Sequence, residues 1–276
     1  MENGLIFSLF PGIGLLDLAF EEAGYCVVRG PDQLWVGDIR KFHPPEGHAW
    51  GIIGGPPCQE FSLLRRLPPT GYGVAMLIEF ARCVTEAKPE WWLMENVAGV
   101  PNVAELGHIY TNQLARDYTW RRFDIDQAWY CDTSRLRHIQ FGSRSGRRLN
   151  VPRGVRRNVT SQAVLANDDR PFEEVCRLQG LPAGFNLPPF LATEKIKAVG
   201  NGVPLPMGRA LARAVTDAYS RLPGQSPDQL QECLCGCGRS VTGNARYAAN
   251  IEGDTSACRK RAQRNRDRAW SQGVAA

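Results

Sequence analysis

Leu5-Ile-Phe-Ser-Leu-Phe10-Pro-Gly-Ile-Gly14-Leu-Leu-Asp-Leu-Ala-Phe20-Glu-Glu-Ala-Gly24 reads as a strand, a glycine turn and a helix. Residues 5–10 form an apolar run of strand length, interrupted by Ser8. Residues 15–23 have helical spacing and end at Gly24, the residue type that closes helices. Gly12 and Gly14 let the backbone pass close to a ligand, and the helix start offers unpaired N–H groups. Such a turn is also common as a purely structural joint, so alone it names no ligand.

The same alternation continues outward. Residues 51–53 form a second strand-like run, entering a turn at Gly54–Pro57. Residues 74–87 have helical spacing through Leu77, Ile78, Ala81 and Val84, and residues 91–94 are again apolar. Residues 204–220 read as a further helix with Leu211, Ala214, Val215 and Ala218 on one face. Strands alternating with helices predict an α/β fold, a doubly wound and mostly parallel sheet. In such sheets ligands sit beyond the carboxyl ends of the strands. The turns after Phe10, Ile53 and Met94 are therefore where chemistry is sought. Asp38, after Trp35-Val-Gly, admits two readings: an acceptor for an adenine amino group, or a helix cap.

Gly54-Gly-Pro-Pro-Cys-Gln-Glu-Phe-Ser62 sets Cys58 behind two rigid prolines at a strand end. Glu95-Asn-Val97 follows the neighbouring apolar run, so a thiol and a carboxylate arrive at one sheet edge. That pair suits methylation of carbon 5 of cytosine. A thiolate added at carbon 6 makes carbon 5 enamine-like, and an acid or hydrogen-bond partner at N3 lowers the barrier to that addition. A buried structural thiol is the alternative, against which the two prolines and Gln59 argue.

These residues resemble the DNA (cytosine-5)-methyltransferases, in order along residues 4–220. Phe10-x-Gly-x-Gly14 is similar to the family's first motif, at the S-adenosylmethionine site. Gly37-Asp-Ile39 resembles the motif whose aspartate meets the adenine. Pro57-Cys-Gln59 resembles the nucleophile motif, and Glu95-Asn-Val97 that of the glutamate. Arg135-Leu-Arg137 looks like the paired arginines that hold the cytosine O2 and the nearby backbone. Arg177-Leu-Gln-Gly-Leu-Pro182 and Gly200-Asn-Gly-Val-Pro204 resemble the last two motifs. Seven short patterns in one order do not arise by chance.

The resemblance implies a class I methyltransferase fold, S-adenosylmethionine as cofactor, and catalysis by Cys58, Glu95, Arg135 and Arg137. It implies a cofactor site of Phe10, Gly12, Ile13, Gly14, Asp32, Asp38, Ile39, Pro56, Asn201 and Val203. Asp32 is the substitute for the family's ribose-binding acid, because Val28-Arg-Gly-Pro-Asp32 puts a proline about there. Thr133 stands where the family has glutamine. The implied substrate is double-stranded DNA, its target base flipped out of the stack. RNA, as in one branch of the family, and a catalytically idle DNA-binding regulator are the alternatives.

Nucleic acid also agrees with the charge distribution. Net charge is +5, but Arg144, Arg147, Arg148, Arg153, Arg156, Arg157 and Arg170 crowd residues 143–170, opposed by Asp168 and Asp169. A second basic run spans residues 259–268. The expected DNA contacts are Gln59, Ser62, Arg65, Arg66, Arg147, Arg148, Arg156 and Arg157. Residues 143–170 are expected to be a reduced target-recognition segment with too little apolar content for its own core. Residues 61–73 are expected to close over the DNA as a mobile lid, or else to be a plain surface connection.

The domain reading is a catalytic domain over 1–220, a linker over 221–230, and a Cys-rich basic module over 231–276. Cys233, Cys235, Cys237 and Cys258 are candidate ligands of one zinc ion, with a basic tail carrying incidental thiols as the alternative. No apolar run reaches membrane-spanning length and no secretory leader is visible, so the expectation is a soluble, monomeric, cytoplasmic protein. A compact phage-type or bacterial enzyme, with or without a cognate restriction endonuclease, fits these features.

Overall fold

A computed structural model of the chain describes residues 4–220, apart from 63, 64, 66, 67, 155, 158 and 160, together with 231–232, 240–241 and 260. The chain divides into two compact units, Met1–Tyr219 and Ser220–Ala276. In chain order the first carries β1 (Leu5–Leu9), α1 (Leu15–Glu22), β2 (Cys26–Arg29), β3 (Gly51–Gly54), α2 (Tyr72–Ala87), β4 (Trp91–Val97) and α3 (Ile109–Asp117). It continues with β5 (Thr119–Asp126), β6 (Thr133–Ser134), β7 (Leu136–Ser143), β8 (Ser161–Gln162), α4 (Phe172–Leu178), α5 (Ala192–Asn201) and α6 (Leu205–Ser220). In the second unit β9 (Gln231–Glu232) pairs antiparallel with β10 (Ser240–Val241).

Six strands form the main sheet in the order β2-β1-β3-β4-β7-β5. The first four run parallel, while β7 lies antiparallel between β4 and β5. The expected doubly wound, mostly parallel sheet is therefore present, with one reversed strand. The reversal has a local cause: β5 reaches β7 through residues 127–135, fewer than the dozen or more that a parallel crossover needs.

Side chains alternate across the sheet with the period of a strand. Phe7, Leu9, Ile52, Trp92 and Met94 face α2 and α3, where Leu77, Phe80, Val84 and Leu114 cover them. Ile6, Ile53, Trp91, Leu93, Ile139 and Phe141 face the opposite layer, built by Leu16 and Phe20 of α1 and Met207, Leu211 and Val215 of α6. Trp91 and Trp92 are fully buried on opposite faces. Truncating either to alanine would cost about 3–5 kcal/mol. Gly51 is what admits Trp91: a Cβ there would stand 2.2 Å from the indole. A third cluster joins α4 and α5 to α1 through Leu15, Val175, Leu178 and Val199.

The strand ends decide the site. Pairing of β3 with β4 stops at Gly54 opposite Met94. Pairing of β4 with β7 continues through Glu95 opposite Ile139, Asn96 opposite His138 and Val97 opposite Arg137. The strand thus runs three residues beyond the apolar stretch 91–94. Glu95 belongs to β4 rather than to the turn after it, because β7 supplies partners that the apolar pattern does not reveal.

Candidate active site

A cavity of about 660 Å³ opens at the carboxyl edge of the sheet, beyond β1 and β3, where the strand order reverses. Parallel sheets place ligands at this point because crossovers leave from it in opposite directions and open a crevice. The volume is that of a pocket for a nucleoside-sized molecule. Of the expected cofactor residues, Phe10, Gly12, Ile13, Asp32, Asp38, Ile39, Pro56, Asn201 and Val203 line it. Gly14 does not; it caps α1 with φ +78°, a left-handed conformation that glycine adopts without strain.

The loop after β1 is held from outside. Gly12 donates its N–H to Asp32 Oδ2 at 2.9 Å, and Trp35 Nε1 donates to the Gly12 carbonyl at 2.8 Å. Asp32 also caps the short turn Gln33–Trp35 by accepting from Leu34. Asp38 caps the turn Ile39–Lys41 and takes the Arg40 guanidinium through two bonds, of 2.9 Å each. That pairing holds its carboxyl below the usual range. The capping reading of Asp38 therefore describes this structure, while its place on the cavity wall keeps the residue beside any occupant.

Asp17, on α1, is a wall residue that the sequence pattern did not expose. It is fully buried, accepts from Ser8 Oγ at 2.5 Å and from Arg29 Nε at 3.0 Å, and burial raises its pKa. Its only sequence signal is an acid in the first turn of an amphipathic helix, which ordinarily means a favourable helix dipole. Trp35, Tyr72 and Phe190 also line the cavity unforeseen. Trp35 and Phe190 meet edge to face at 5.6 Å between centroids.

Cys58 lies on the same wall, half-buried. Its loop crosses the overhang of β4, so that a Cβ on Gly55 would stand 3.7 Å from Glu95 Oε2. Asn96 fastens the loop, donating from Nδ2 to the Pro56 carbonyl at 2.9 Å. Burial raises the Cys58 pKa and the Glu95 charge adds to the rise, while Arg137 and Arg135 pull the other way. The resting thiol is therefore more protonated than an ordinary cysteine.

Glu95 and Arg137 are nearly inaccessible and both line the cavity. Arg137 Nε stands 3.3 Å from Glu95 Oε1, close enough for an ion pair but without hydrogen-bond alignment. Neither atom has another partner among the described residues. Buried polar atoms are normally satisfied, so two orphans facing a cavity mark a place for a polar ligand.

Arg137 also donates to the Gly202 carbonyl, which Gln179 holds as well. Gln179, from the Arg177–Pro182 stretch, thereby ties Asn201 and Val203 to the arginine that faces Glu95. Arg135 is placed differently from Arg137. It lies off the cavity wall and donates to the carbonyls of Val164 and Gly200 at 3.2 Å each. Burial, with Arg137 beside it, lowers its pKa to about 10. It braces the loops behind the site.

The expected nucleic-acid contacts separate. Gln59 is on the cavity wall, and Arg65 donates to the Glu60 carbonyl nearby. Ser62 is half-buried in the same turn, while Arg66 lies outside the described residues. Arg156 binds Asp126, and Arg157 binds Asp132, at the cavity end of β5 and just beyond it. Arg147 and the neighbouring Arg148 follow Ser143, which pairs with Trp91 at the opposite end of the sheet. The six residue steps from Arg137 to Ser143 put that end roughly 20 Å away.

Arg144, Arg147 and Arg153 lie against Tyr118, Tyr219 and Trp129, and Arg170 pairs with Asp168. Residues 143–170 are thus less free in charge than their own composition implies. Acids from Asp126 and Asp132, outside that range in sequence, fold onto them. Cys233, Cys235, Cys237 and Cys258, the candidate zinc ligands, lie outside the described residues.

Comparison with known proteins agrees with this geometry. The family model for C-5 cytosine-specific DNA methylases matches residues 31–168, half of the chain. The Type II methyltransferase M.AquIA of Picosynechococcus is 34% identical over 130 residues, covering 37% of this chain and 51% of that protein. M.NgoPII of Neisseria gonorrhoeae is 35% identical over 115 residues, 34% of this chain and 33% of that protein. The chain therefore aligns with about half, or less, of the length of these relatives. Among solved structures, an E. coli prophage protein described as a DNA modification methyltransferase superposes with a TM-score of 0.59 at 15% identity, covering 79% of this chain and all of that one. A DNMT2 variant of Spodoptera frugiperda gives a TM-score of 0.55 at 15% identity over 78% of this chain and all of that one. These structural likenesses establish the shared α/β fold. With the family model spanning half of its residues and the cavity assembled from the motifs that model covers and their neighbours, this chain belongs to the C-5 cytosine-specific DNA methylase family.

Proposed function

We propose that the protein transfers a methyl group from S-adenosylmethionine to carbon 5 of cytosine in double-stranded DNA. The observation that carries this is the pairing of Cys58 with the unsatisfied Glu95–Arg137 ion pair on one cavity wall. The cavity fits the donor. The Gly12 Cβ position is open, Asp32 and Asp38 offer acceptors, and Phe10, Trp35 and Phe190 offer ring surface. When bound, S-adenosylmethionine supplies a sulfonium-activated methyl group.

The chain's residues account for the rest. The Cys58 thiolate forms a bond to carbon 6, and the electrons of the 5,6 double bond move onto carbon 5. Glu95, once protonated, donates to N3 as charge builds there, and Arg137 donates to O2. Carbon 5 takes the methyl group as the donor's sulfur–methyl bond breaks, its proton passes to water, and the returning electrons break the carbon 6–sulfur bond and expel Cys58. A buried thiol suits this cycle, because it is disfavoured as the anion in the empty site and gives up its proton to solvent as the cytosine enters beside Arg137.

Duplex DNA would lie over the rim carrying Gln59, Arg65, Arg156 and Arg157. A partner restriction endonuclease belongs to the same proposal, supported by the Type II names of the relatives, as do a monomeric state and a cytoplasmic location. No helix among the described residues is long and apolar enough to cross a membrane. Zinc at Cys233, Cys235, Cys237 and Cys258 rests on their spacing, and metal analysis of Cys235→Ser and Cys258→Ser tests it.

The decisive experiment offers labelled S-adenosylmethionine with duplex DNA and, separately, transfer RNA. Label in DNA with wild type and none with Cys58→Ala is the expected result, together with a trapped adduct on 5-fluorocytosine DNA. Label in RNA alone would replace the substrate, and label in neither would remove the activity.

A further inference from the structure

Glu60 lies two residues after Cys58 and has no part in the chemistry above, yet its carboxylate accepts three hydrogen bonds. Its Oε1 accepts from the Thr70 N–H and the Thr70 hydroxyl, each at 2.6 Å. Its Oε2 accepts from the Gly73 N–H at 2.7 Å. Arg65 donates to its carbonyl at 2.9 Å, and Phe61 closes a turn onto the Cys58 carbonyl at 3.0 Å.

Gly73 is the second residue of α2, whose N-cap is Gly71, a residue with no side chain to offer. Helix starts need an acceptor for the N–H groups of their second and third residues, and a carboxylate there is further favoured by the helix dipole. Glu60 fills that need from another segment, so the cap of α2 is also a tether on the Cys58 turn. These bonds hold the Glu60 carboxyl at about 2. The same helix start carries Tyr72, which lines the cavity and accepts from Gln33 Nε2 at 2.7 Å. Phe61 packs its ring against Gly73, where a Cβ would stand 2.8 Å away.

We propose that Glu60 is a positioning residue, fastening the turn that carries Cys58 to the start of α2 and so setting where the sulfur meets the pyrimidine. The proposal rests on the methyl-transfer reading for its kinetic consequence but not for its geometry. Displacement of a reacting group by about an ångström costs on the order of a hundredfold in rate.

The test uses the full chain as wild type, Glu60→Ala and Glu60→Gln. Cys58 alkylation by iodoacetamide is followed by mass spectrometry without substrate, and single-turnover methyl transfer to duplex DNA is followed alongside. In Glu60→Ala the released turn exposes the thiol, so alkylation accelerates several-fold, while transfer slows roughly 10- to 100-fold. KM for the methyl donor stays unchanged. Glu60→Gln keeps an acceptor for Thr70 but offers an amide in place of one carboxylate oxygen to Gly73, and falls between. It carries the test if the alanine variant does not fold.

Wild-type alkylation and transfer rates in a folded variant with a lowered melting temperature would show a helix cap and nothing more, and would overturn the proposal. A wild-type protein without methyl transfer would instead sink the functional reading. The alkylation comparison would then still decide the tether.

Discussion

The two ends of the central sheet are built from the same residue types and do opposite things. At the amino end, Glu90 accepts from Ser143, Ser145 and the Tyr219 hydroxyl, while Arg144 and Arg147 lie over Tyr118 and Tyr219. Each of these polar groups has partners. At the carboxyl end, Glu95 and Arg137 face each other unaligned, and burial and a neighbouring charge push the Cys58 pKa up. A carboxylate, an arginine and a small polar side chain thus make a clasp at one end and a site at the other. Among these groups, satisfaction rather than composition separates the clasp from the cavity: the Glu90 cluster has its bonds made, while Glu95 and Arg137 keep atoms without a hydrogen-bond partner among the described residues.

The sharpest way to break this contrast is to remove the proposed nucleophile, Cys58. Cys58→Ala is expected to abolish methyl transfer and adduct formation, with no comparable loss in fold as judged by circular dichroism. Glu95→Gln keeps the shape but loses the acid, and transfer should fall by about 10²–10⁴-fold. Glu90→Gln, its counterpart at the amino end, should leave the single-turnover rate intact and lower stability by roughly 1–3 kcal/mol in urea titrations, because it disturbs a satisfied cluster. Equal kinetic damage from both glutamates would undo the contrast.

The protonation states sharpen it further. Burial and Glu95 raise the Cys58 pKa, so alkylation of the free protein should climb with pH only on the alkaline side of an ordinary thiol. Glu95→Gln should move that profile towards lower pH, and Arg137→Met towards higher pH. A profile unmoved by either substitution would mean that the three groups are not coupled. The smallest expected effect lies on the rim. Arg156→Ala should weaken DNA binding by a factor of a few and reduce the slope of log affinity on log salt by about 1, whereas Arg147→Ala should leave both unchanged.

Much of this architecture was legible in the chain. The strand–turn–helix from Leu5 to Gly24 needed only apolar periodicity and a closing glycine, both local properties. The resulting α1, Leu15–Glu22, differs from the expected span by one residue. The Pro-Pro-Cys loop was legible because two prolines fix the backbone whatever surrounds it. The extension of β4 through Glu95 was not, since polar residues enter a strand only when a neighbour such as β7 supplies the ladder. Nor were β5 and β7, whose Arg121, Arg122, Asp124, His138 and Gln140 obscure the apolar pattern. His138 and Asp124 satisfy each other across the two strands at 2.8 Å, a pairing that only register creates.

The sequence by itself determined the fold class, and it singled out the candidate thiol and acid in their order along the chain, because periodicity, rigid turns and motif order are one-dimensional. Only the tertiary structure decided that Arg137 faces Glu95 while Arg135 braces the loops behind it. It alone placed Asp17 on the cavity wall, paired arginines of residues 143–170 with acids from elsewhere, and made Glu60 the cap of a helix to which it does not belong. The physical reason is that bonding between side chains depends on through-space distance. Strand register and helix packing set that distance, and residue spacing does not encode it.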